Sequence, residues 1–255
     1  MGDADARRDR ERERPVAGWW IGKIASAQEA NVVKDEAWAR TATKQPLSAA
    51  ILAGGQSRRM GTDKALLRLT PDGPTLIERV LAAVRTVADD VFLVANDDRL
   101  AGLGLRTVPD AFPGAGSLGG IYSAVAGAHE QHCLVVACDM PFLAPPLLRA
   151  LADAPRDYDV LAPYLEVGTN RQGGAKGVYE TLHAIYGRAA LPAMRAQLAA
   201  AQYRIVGFFP EVRVRAVTET TVRALDPQLR SFFNVNTPER LAEARARAGV
   251  APKVR

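Results

Sequence analysis

The sequence predicts an α/β fold, in which helices cover both faces of a mostly parallel sheet. From residue 47 onward, short β-rich runs alternate with segments whose apolar residues recur every three or four positions, and this alternation is typical of a doubly wound sheet. With 255 residues, 48% of them hydrophobic, the chain can bury one sizeable core. We therefore expect one α/β domain over 47–248, after an N-terminal arm over 1–46 and before a short tail over 249–255.

Six runs are predicted to be strands, because each is short, rich in apolar residues and bounded by residues that favour turns. The last run alternates apolar and basic residues, as a strand with one solvated face does. In chain order the six are LSAAILA (47–53), DVFLVAN (90–96), LRTVP (105–109), HCLVVAC (132–138), DVLAPY (159–164) and VRVRAV (212–217).

Five segments have the apolar spacing of amphipathic helices. The last one begins at Pro238, whose missing N–H costs nothing in a first helical turn, and Thr237 precedes it as a capping residue. The five are TLIERVLAAVRTVA (75–88), LGGIYSAVAGAHE (118–130), PPLLRALADA (145–154), a longer segment from Leu182 to Ala201, and PERLAEARARA (238–248).

Charge and cysteine usage narrow the classes of partner. The formal net charge of +5 is spread along the chain, and because no RNA- or DNA-binding motif accompanies it we expect anionic small molecules rather than nucleic acid. The longest apolar stretches fall far short of the roughly 20 residues that span a bilayer, so no membrane partner is expected. Cys133 and Cys138 lack the Cys-x-x-Cys spacing of a metal or redox pair and are predicted to be reduced thiols of a cytoplasmic protein.

The arm over 1–46 has a different composition from the rest of the chain. Its start, ARRDRERER, is dense in charges of both signs, and the remainder shows no sustained apolar period, which favours disorder. The acidic residues and the short apolar stretch VAGWWIG are also unlike a secretory signal. We expect a disordered arm and no export.

The stretch LAGGQSRRMGTDK (52–64), which we call the signature loop, follows the first predicted strand. In open α/β sheets, ligands bind at the carboxyl ends of the strands. Gly54 and Gly55 let the backbone approach a ligand and expose consecutive N–H groups to an anion. A plain turn with solvated arginines would need neither adjacent glycines nor a lysine at its far end, so we predict a phosphate-binding loop. Its positive charges are those of Arg58, Arg59 and Lys64.

Two familiar phosphate-binding motifs do not describe this loop. A Walker A loop needs Gly-Lys-Ser/Thr, whereas the sequence has Gly-Thr-Asp-Lys (61–64). A dinucleotide fingerprint, GAGSLG (114–119), does occur, with Asp139 at about the expected distance, but it follows a later unit and a proline-containing loop. A dehydrogenase that uses this fingerprint is therefore a distant alternative.

The segment LAGGQSRRMGTDKALL (52–67) resembles the signature of the molybdenum cofactor guanylyltransferases, the MobA family of nucleotidyltransferases. The resemblance covers 47 to about 247 and implies a Rossmann-like nucleotidyltransferase domain. It further implies that GTP and the phosphate of molybdopterin are joined into a guanine dinucleotide with release of pyrophosphate, that Mg²⁺ is the cofactor, and that molybdoenzymes or other cofactor-assembly proteins are partners. The similarity continues at VANDD (94–98), VPDAFPGAGSLGGI (108–121), ACDMPFL (137–143), LHAIY (182–186) and FNVNTPERL (233–241).

The resemblance also implies roles for individual residues on the nucleotide side. Lys64 would hold the triphosphate, and we group Arg59 with it as a catalytic cation. Asp139 would carry Mg²⁺, which prefers one or two carboxylates completed by water and phosphate oxygens, although an Asp before a helix is also a common N-cap. The residues implied to line the nucleotide pocket are Leu52, Ala53, Gly54, Gly55, Lys64, Asn96, Asp110 and Asp139.

On the pterin side, the resemblance implies Asn234 and Asn236, an Asn-x-Asn pair near the metal, and His183. Each has a simpler interpretation. A lone histidine on a helix is commonly structural, and Asn234 could bond its own backbone in the turn before Thr237.

Two departures from the family pattern and two other functions remain open. Ser117 and Thr181 stand where family members usually have proline, which loosens the backbone by about 1 kcal/mol of entropy each. A cytidylyltransferase on the same scaffold would typically carry Ala-Ala-Gly in place of Ala-Gly-Gly (53–55). A non-catalytic nucleotide-binding protein would not need both Lys64 and Asp139.

Overall fold

An eight-stranded sheet lies at the centre of the residues that the computed structural model describes, which are 45–54, 64–169 and 175–249. None of the described helices is both long and apolar enough to cross a membrane. The strands are β1 (Ser48–Leu52), β2 (Asp90–Val94), β3 (Arg106–Val108), β4 (His132–Ala137), β5 (Val160–Thr169), β6 (Ala175–Tyr179), β7 (His183–Gly187) and β8 (Val214–Thr218). The helices are α1 (Leu76–Val84), α2 (Gly116–Gly127), α3 (Pro145–Asp153), α4 (Leu191–Ala199), α5 (Glu219–Leu225) and α6 (Pro238–Arg247).

The strands follow the order β3-β2-β1-β4-β7-β5-β6, with β8 also paired to β5. The pairs β1–β2, β1–β4 and β2–β3 are parallel, as is β5–β8. Strand β7 runs antiparallel to both of its neighbours, β4 and β5, so β5 points in the same direction as β1. The predicted α/β class with a mostly parallel sheet is confirmed.

Both faces of the sheet are covered, because the side chains of each central strand point alternately into two cores. Ile51 in β1 packs in the core that includes Ile77 of α1 and Leu147 of α3. Its neighbour Ala50 packs in the core that includes Ile121 of α2 and Met194 of α4. This division explains why the central strands are nearly continuous apolar runs in the sequence.

Caps define the helix starts that the sequence predicts. The Thr75 hydroxyl accepts a hydrogen bond from the backbone N–H of Glu78, and the Glu78 carboxylate accepts one from the backbone N–H of Thr75, forming a capping box at α1. Thr237 caps α6 through the N–H of Arg240, and Pro238 occupies the first turn. The predicted start of the last helix is confirmed.

The predicted helix from Leu182 to Ala201 is wrong in its first half. Residues His183–Gly187 form strand β7, every residue of which is buried, and α4 begins only at Leu191. A strand that is buried on both faces has no two-residue period, so a short apolar run cannot be told from a helix by its pattern. Pairing with β4 and β5 decides for the strand.

Two further elements were not predicted, β6 and α5. In β6, an added Cβ on Gly177 would lie 2.5 Å from the ring of Tyr164, so glycine is needed where this ring lies across the strand. The glycine interrupts the apolar pattern by which a strand is recognised in the sequence. Helix α5 has only seven residues and includes two threonines, which are poor helix formers. Strand β5 also extends to Thr169, beyond the predicted 159–164.

Candidate active site

The carboxyl ends of the central strands bring together the segments that carry the predicted site. Backbone hydrogen bonds continue past the strand ends, from Ala53 N to Val94 O at 3.0 Å and from Cys138 N to Leu52 O at 3.1 Å. The start of the signature loop therefore lies between the segments that follow β2 and β4, as parallel strands require. Leu52 is half-buried, Ala53 is buried and Gly54 is exposed.

Gly54 has room for a side chain in the protein itself. An added Cβ would lie 3.7 Å from the carbonyl oxygen of Val94 and 3.9 Å from Cα of Ala95, which are ordinary van der Waals contacts. The described fold therefore does not require glycine at this position. The rest of the loop to residue 63, which includes Gly55, Arg58 and Arg59, lies outside the described residues.

The positive charge of Lys64 acts on the Asp139 carboxyl near the carboxyl ends of the central strands. Lys64 begins a short helical turn, Lys64–Leu66, which is anchored by the buried Ala65. Burial raises the pKa of the Asp139 carboxyl above its ordinary value, and the positive charge of Lys64 opposes that shift. The structure thus brings together the cation at the end of the signature loop and the carboxylate that follows β4.

Asp139 is not the N-cap of the helix that follows it. Helix α3 begins at Pro145, its N-cap is Ala144, and no side chain caps it. The capping interpretation of Asp139 is therefore wrong. The backbone carbonyl of Asp139 instead accepts a hydrogen bond from Val235 N at 2.9 Å, which holds the Asn-x-Asn segment against the end of β4.

Asn234 has an amide oxygen whose surroundings are unusual. This Oδ1 atom is buried and has no hydrogen-bond partner in the described part of the chain, so the oxygen does not accept from the backbone of the turn. Asn236, two residues later, is exposed. A buried acceptor without a donor is costly, and an amide oxygen is among the ligands that hard cations take.

A divalent cation near Asp139 and Asn234 would be held by few protein ligands. Among residues 45–54, 64–169 and 175–249, no three His, Cys, Asp or Glu side chains are grouped to hold a metal. The Asp139 carboxylate, after β4, and the Asn234 amide oxygen are two oxygen donors that could contribute to such a site. Mg²⁺ suits such a site because it retains water and takes further ligands from phosphate oxygens.

His183 lies in β7 opposite Val136 and is completely buried. Burial lowers its pKa to about 4, and neither ring nitrogen has a hydrogen-bond partner within the described ranges. Its ring packs against that of Phe232, with centroids 5.2 Å apart. Because the side chain is shielded from solvent, its placement favours the structural interpretation, and its predicted position on a helix is wrong.

Asn96 and Asp110 are adjacent, as the predicted pocket requires. Asn96 Oδ1 accepts the backbone N–H of Asp110 at 2.7 Å, and Asp110 Oδ1 accepts that of Phe112 at 3.0 Å. Both side chains therefore shape the turn between β3 and α2. The glycines of GAGSLG serve the same turn, because Gly114 and Gly116 have φ of 89° and 65°, values that disfavour other residues.

Two polar residues that contact the site were not predicted. The guanidinium of Arg99 donates a hydrogen bond to the carbonyl of Ala53 and pairs with Asp97 at 3.1 Å. The hydroxyl of Ser123 lies 3.2 Å from Asp110 Oδ1. Neither residue forms part of a recognisable motif, so only the folded chain reveals these contacts.

Comparison with known proteins identifies the family. The model of the MobA-like NTP transferase domain matches residues 49–214. The chain is 40% identical over 199 residues to a probable molybdenum cofactor guanylyltransferase of Pelotomaculum thermopropionicum, covering 78% of this chain and 91% of the relative. It is 37% identical over 204 residues to the molybdenum cofactor guanylyltransferase of Desulfosudis oleivorans, covering 78% and 95%.

Solved structures agree with this relationship. Molybdopterin-guanine dinucleotide biosynthesis protein A from Archaeoglobus fulgidus superimposes with a TM-score of 0.63 at 28% identity, covering 79% of this chain and 98% of the other. The 2-C-methyl-D-erythritol 4-phosphate cytidylyltransferase of Thermus thermophilus gives 0.58 at 20% identity, covering 81% and 100%, and shares the fold alone. The chain therefore belongs to the MobA-like NTP transferase family, among the molybdenum cofactor guanylyltransferases.

Proposed function

We propose that this nucleotidyltransferase moves GMP from GTP to the phosphate of molybdopterin, yielding a guanine dinucleotide and pyrophosphate. The observation that carries the proposal is that the start of the signature loop, Lys64 at its end and Asp139 all lie at the carboxyl ends of the central strands. A protein that only binds nucleotide has no use for the last two together. The names of the relatives support both the nucleotide and the acceptor.

The nucleotide lies along the start of the signature loop in this proposal. Leu52, Ala53 and the two glycines after them would line the guanine and ribose, and the absence of a side chain on Gly54 leaves room for a ligand to approach the backbone. Asn96 and Asp110 would close the pocket from the neighbouring turn. Glycine at a position that the fold leaves free supports a ligand as the reason for its presence.

Lys64, with Arg59, would neutralise the triphosphate. Nucleotidyl transfer depends mainly on positioning and on neutralising charge as it moves to the leaving pyrophosphate. A lysine is a flexible point charge and is able to follow that movement. Its electrostatic influence on Asp139 supports a place beside the reacting phosphates.

Asp139 would hold Mg²⁺, together with the amide oxygen of Asn234. The ion would supply charge neutralisation at the α-phosphate. Its presence would also offset the unfavourable burial of the Asp139 carboxylate. The unpartnered oxygen of Asn234 supports its part in this site.

The acceptor would bind on the side of the 234–236 segment, with Asn236 exposed to orient it. Its phosphate is already ionised at neutral pH, so no strong base is needed to activate it. The burial of His183 is compatible with this mechanism, because a neutral buried imidazole has no part in proton transfer here. Cys133 and Cys138 form no disulfide, which supports a cytoplasmic setting, where molybdoenzymes or their assembly partners would receive the product.

The test is the choice of nucleotide. The purified protein is incubated with molybdopterin, Mg²⁺ and either GTP, CTP or ATP, and pyrophosphate release is measured together with the mass of the dinucleotide product. GTP is expected to be used at least about tenfold better than CTP or ATP, equivalent to about 1.4 kcal/mol of selectivity. Equal rates with GTP and CTP would refute the guanylyl assignment, and binding without pyrophosphate release would show a nucleotide-binding protein.

A further inference from the structure

A single buried hydroxyl, that of Ser123, joins helix α2 to the turn that carries Asp110. Ser123 is 2% exposed. Its Oγ accepts the backbone N–H of Ala111 at 2.9 Å and lies 3.2 Å from Asp110 Oδ1 and 2.8 Å from the carbonyl oxygen of Gly119. The one hydroxyl proton therefore lies between a carboxylate and a helix carbonyl.

The packing around this hydroxyl leaves little freedom. A side chain on Gly119 would approach the carbonyl oxygen of Phe112 to 2.8 Å and Asp110 Oδ1 to 3.1 Å. Helix α2 thus packs directly against the turn without an intervening side chain. Ser123 and Gly119 therefore hold the Asp110 carboxylate against the same face of α2.

The bonds around Asp110 are divided unevenly between its two oxygens. Oδ1 accepts from Phe112 N at 3.0 Å and faces the Ser123 hydroxyl, while the backbone N–H of Asp110 donates to Asn96. Among the described residues, no hydrogen bond reaches Oδ2. The hydrogen bonds on one oxygen fix the plane of the carboxylate and leave the other to accept from a ligand hydroxyl or N–H.

We propose that Ser123 is a positioning residue for the nucleotide, acting through Asp110, whose carboxylate it fixes for recognition of the ribose or base. The inference rests on the proposed function, in which Asp110 closes the nucleotide pocket. Its effect falls on nucleotide binding rather than on the chemical step, because Ser123 is buried and touches the carboxylate, not the reacting phosphates.

The test compares Ser123→Ala with a matched control, Ser48→Ala, at the amino end of the central strand β1. Ser48 is also fully buried, donates to an aspartate, Asp90 Oδ2 at 2.5 Å, and accepts a backbone N–H, that of Glu130 at 3.0 Å. Removing one such hydroxyl typically costs a factor of about three to ten. We expect Ser123→Ala to raise KM for GTP by that factor with kcat nearly unchanged, while Ser48→Ala leaves both constants near those of the wild type.

Two further variants separate positioning from general damage. Ser123→Thr keeps a hydroxyl that can bond Gly119, four residues earlier, and should restore KM. In an Asp110→Ala background, Ser123→Ala should change KM by less than about twofold, because the residue through which it acts is gone. Ser123→Cys, similar in shape but a weak hydrogen-bonding group, is measured in parallel in case Ser123→Ala fails to fold.

The proposal is overturned if Ser123→Ala leaves KM for GTP unchanged, if Ser48→Ala raises it equally, or if the effects of Ser123→Ala and Asp110→Ala are additive. Failure of the proposed function is recognised separately, in the wild type. If the wild type prefers CTP, the guanylyl assignment fails, and the same variants are then compared with CTP to judge Ser123.

Discussion

Asp139 combines partial burial, a nearby lysine and a backbone contact with the segment that carries Asn234. We expect Asp139→Asn to keep the volume and lower transfer activity by about a thousandfold, since losing roughly 4 kcal/mol of charge stabilisation at the α-phosphate has that effect. Stability should change by about 1 kcal/mol or less, because the side chain caps no helix and the substitution removes a buried charge. Pyrophosphate release and a melting curve measure the two effects.

The matched control for this prediction is Asp153→Asn, a substitution of the same type at the end of α3. This substitution also removes one carboxylate charge, but at a position away from the carboxyl ends of the central strands. Activity should stay within about twofold of the wild type, a change in activation free energy well under the 1.4 kcal/mol that corresponds to tenfold. If Asp139→Asn retains more than about a tenth of the activity, the metal is held elsewhere.

His183 makes the stability of the protein depend on pH. Its pKa is about 4 in the folded protein and 6.5 ordinarily, so the unfolded chain takes up a proton below pH 6.5 that the folded chain does not. Stability is therefore lost as the pH falls from 6.5 towards 4, with about 2 kcal/mol lost by pH 5 from this group alone. Urea unfolding of the wild type and of His183→Leu at pH 7.5 and pH 5 measures the difference.

Because other groups also titrate between these two pH values, the informative quantity is the comparison of the two proteins. His183→Leu should lose about 2 kcal/mol less than the wild type on going from pH 7.5 to pH 5. An equal loss in both proteins would mean that His183 is charged in the folded state or reaches a partner there.

Local composition predicts some site residues and not others. Glycines and a lysine placed directly after a strand mark the signature loop without knowledge of the fold. Ser123 and Arg99 contact Asp110 and Ala53, which are 13 and 46 residues away in the chain. Such hydrogen bonds depend on how the turn and helix pack, and no pattern in the sequence encodes them.

At the scale of elements, β1 to β4 were predictable because each is a short apolar run between turns or amphipathic helices. Strand β7 was not, because its residues are all buried and its antiparallel pairing with β4 depends on partners about 50 residues away. The predicted nucleotide site lies at the carboxyl ends of β1, β2 and β4, which are among the predicted strands. For this reason the site could be placed although β7 was missed.

Substitution by alanine should have opposite effects on stability and on GTP use at two glycines, Gly127 at the end of α2 and Gly54 after β1. Gly127 ends α2, and an added Cβ would lie 2.9 Å from both methyl groups of Val108 in β3. We expect Gly127→Ala to reduce stability by about 1 to 3 kcal/mol through overpacking, with KM for GTP unchanged. Gly54→Ala should leave the melting temperature nearly unchanged, because the new methyl group makes only ordinary van der Waals contacts within the protein. It should weaken GTP use, because the methyl group would crowd a nucleotide bound against this backbone.

Melting curves and KM for GTP, measured for both variants, check this pair. A large loss of stability in Gly54→Ala would show that the glycine serves the fold. Unchanged KM for GTP in Gly54→Ala would show that the nucleotide does not approach this backbone.

At the scale of the whole molecule, the relatives indicate which part of the chain the reaction needs. The family model begins at residue 49, one residue into β1. The P. thermopropionicum relative is matched over 91% of its length by 78% of this chain. The charged arm over 1–46 lies outside the residues that the family model matches, and we propose that the arm is dispensable for catalysis.

A chain that begins at Gln45 should therefore fold and turn over GTP normally. It keeps all of β1, whose first residue, Ser48, pairs with both Asp90 and Cys133. Its melting temperature should lie within about 3 °C of the full chain, equivalent to about 1 kcal/mol for a domain of this size. A chain that begins at Ala50 is the control, because it lacks the start of the central strand and the buried hydroxyl of Ser48, and it should unfold at a clearly lower temperature. If the chain from Gln45 melts as early as this control, or loses most of its activity, the arm contributes to the domain and the boundary near residue 47 is wrong.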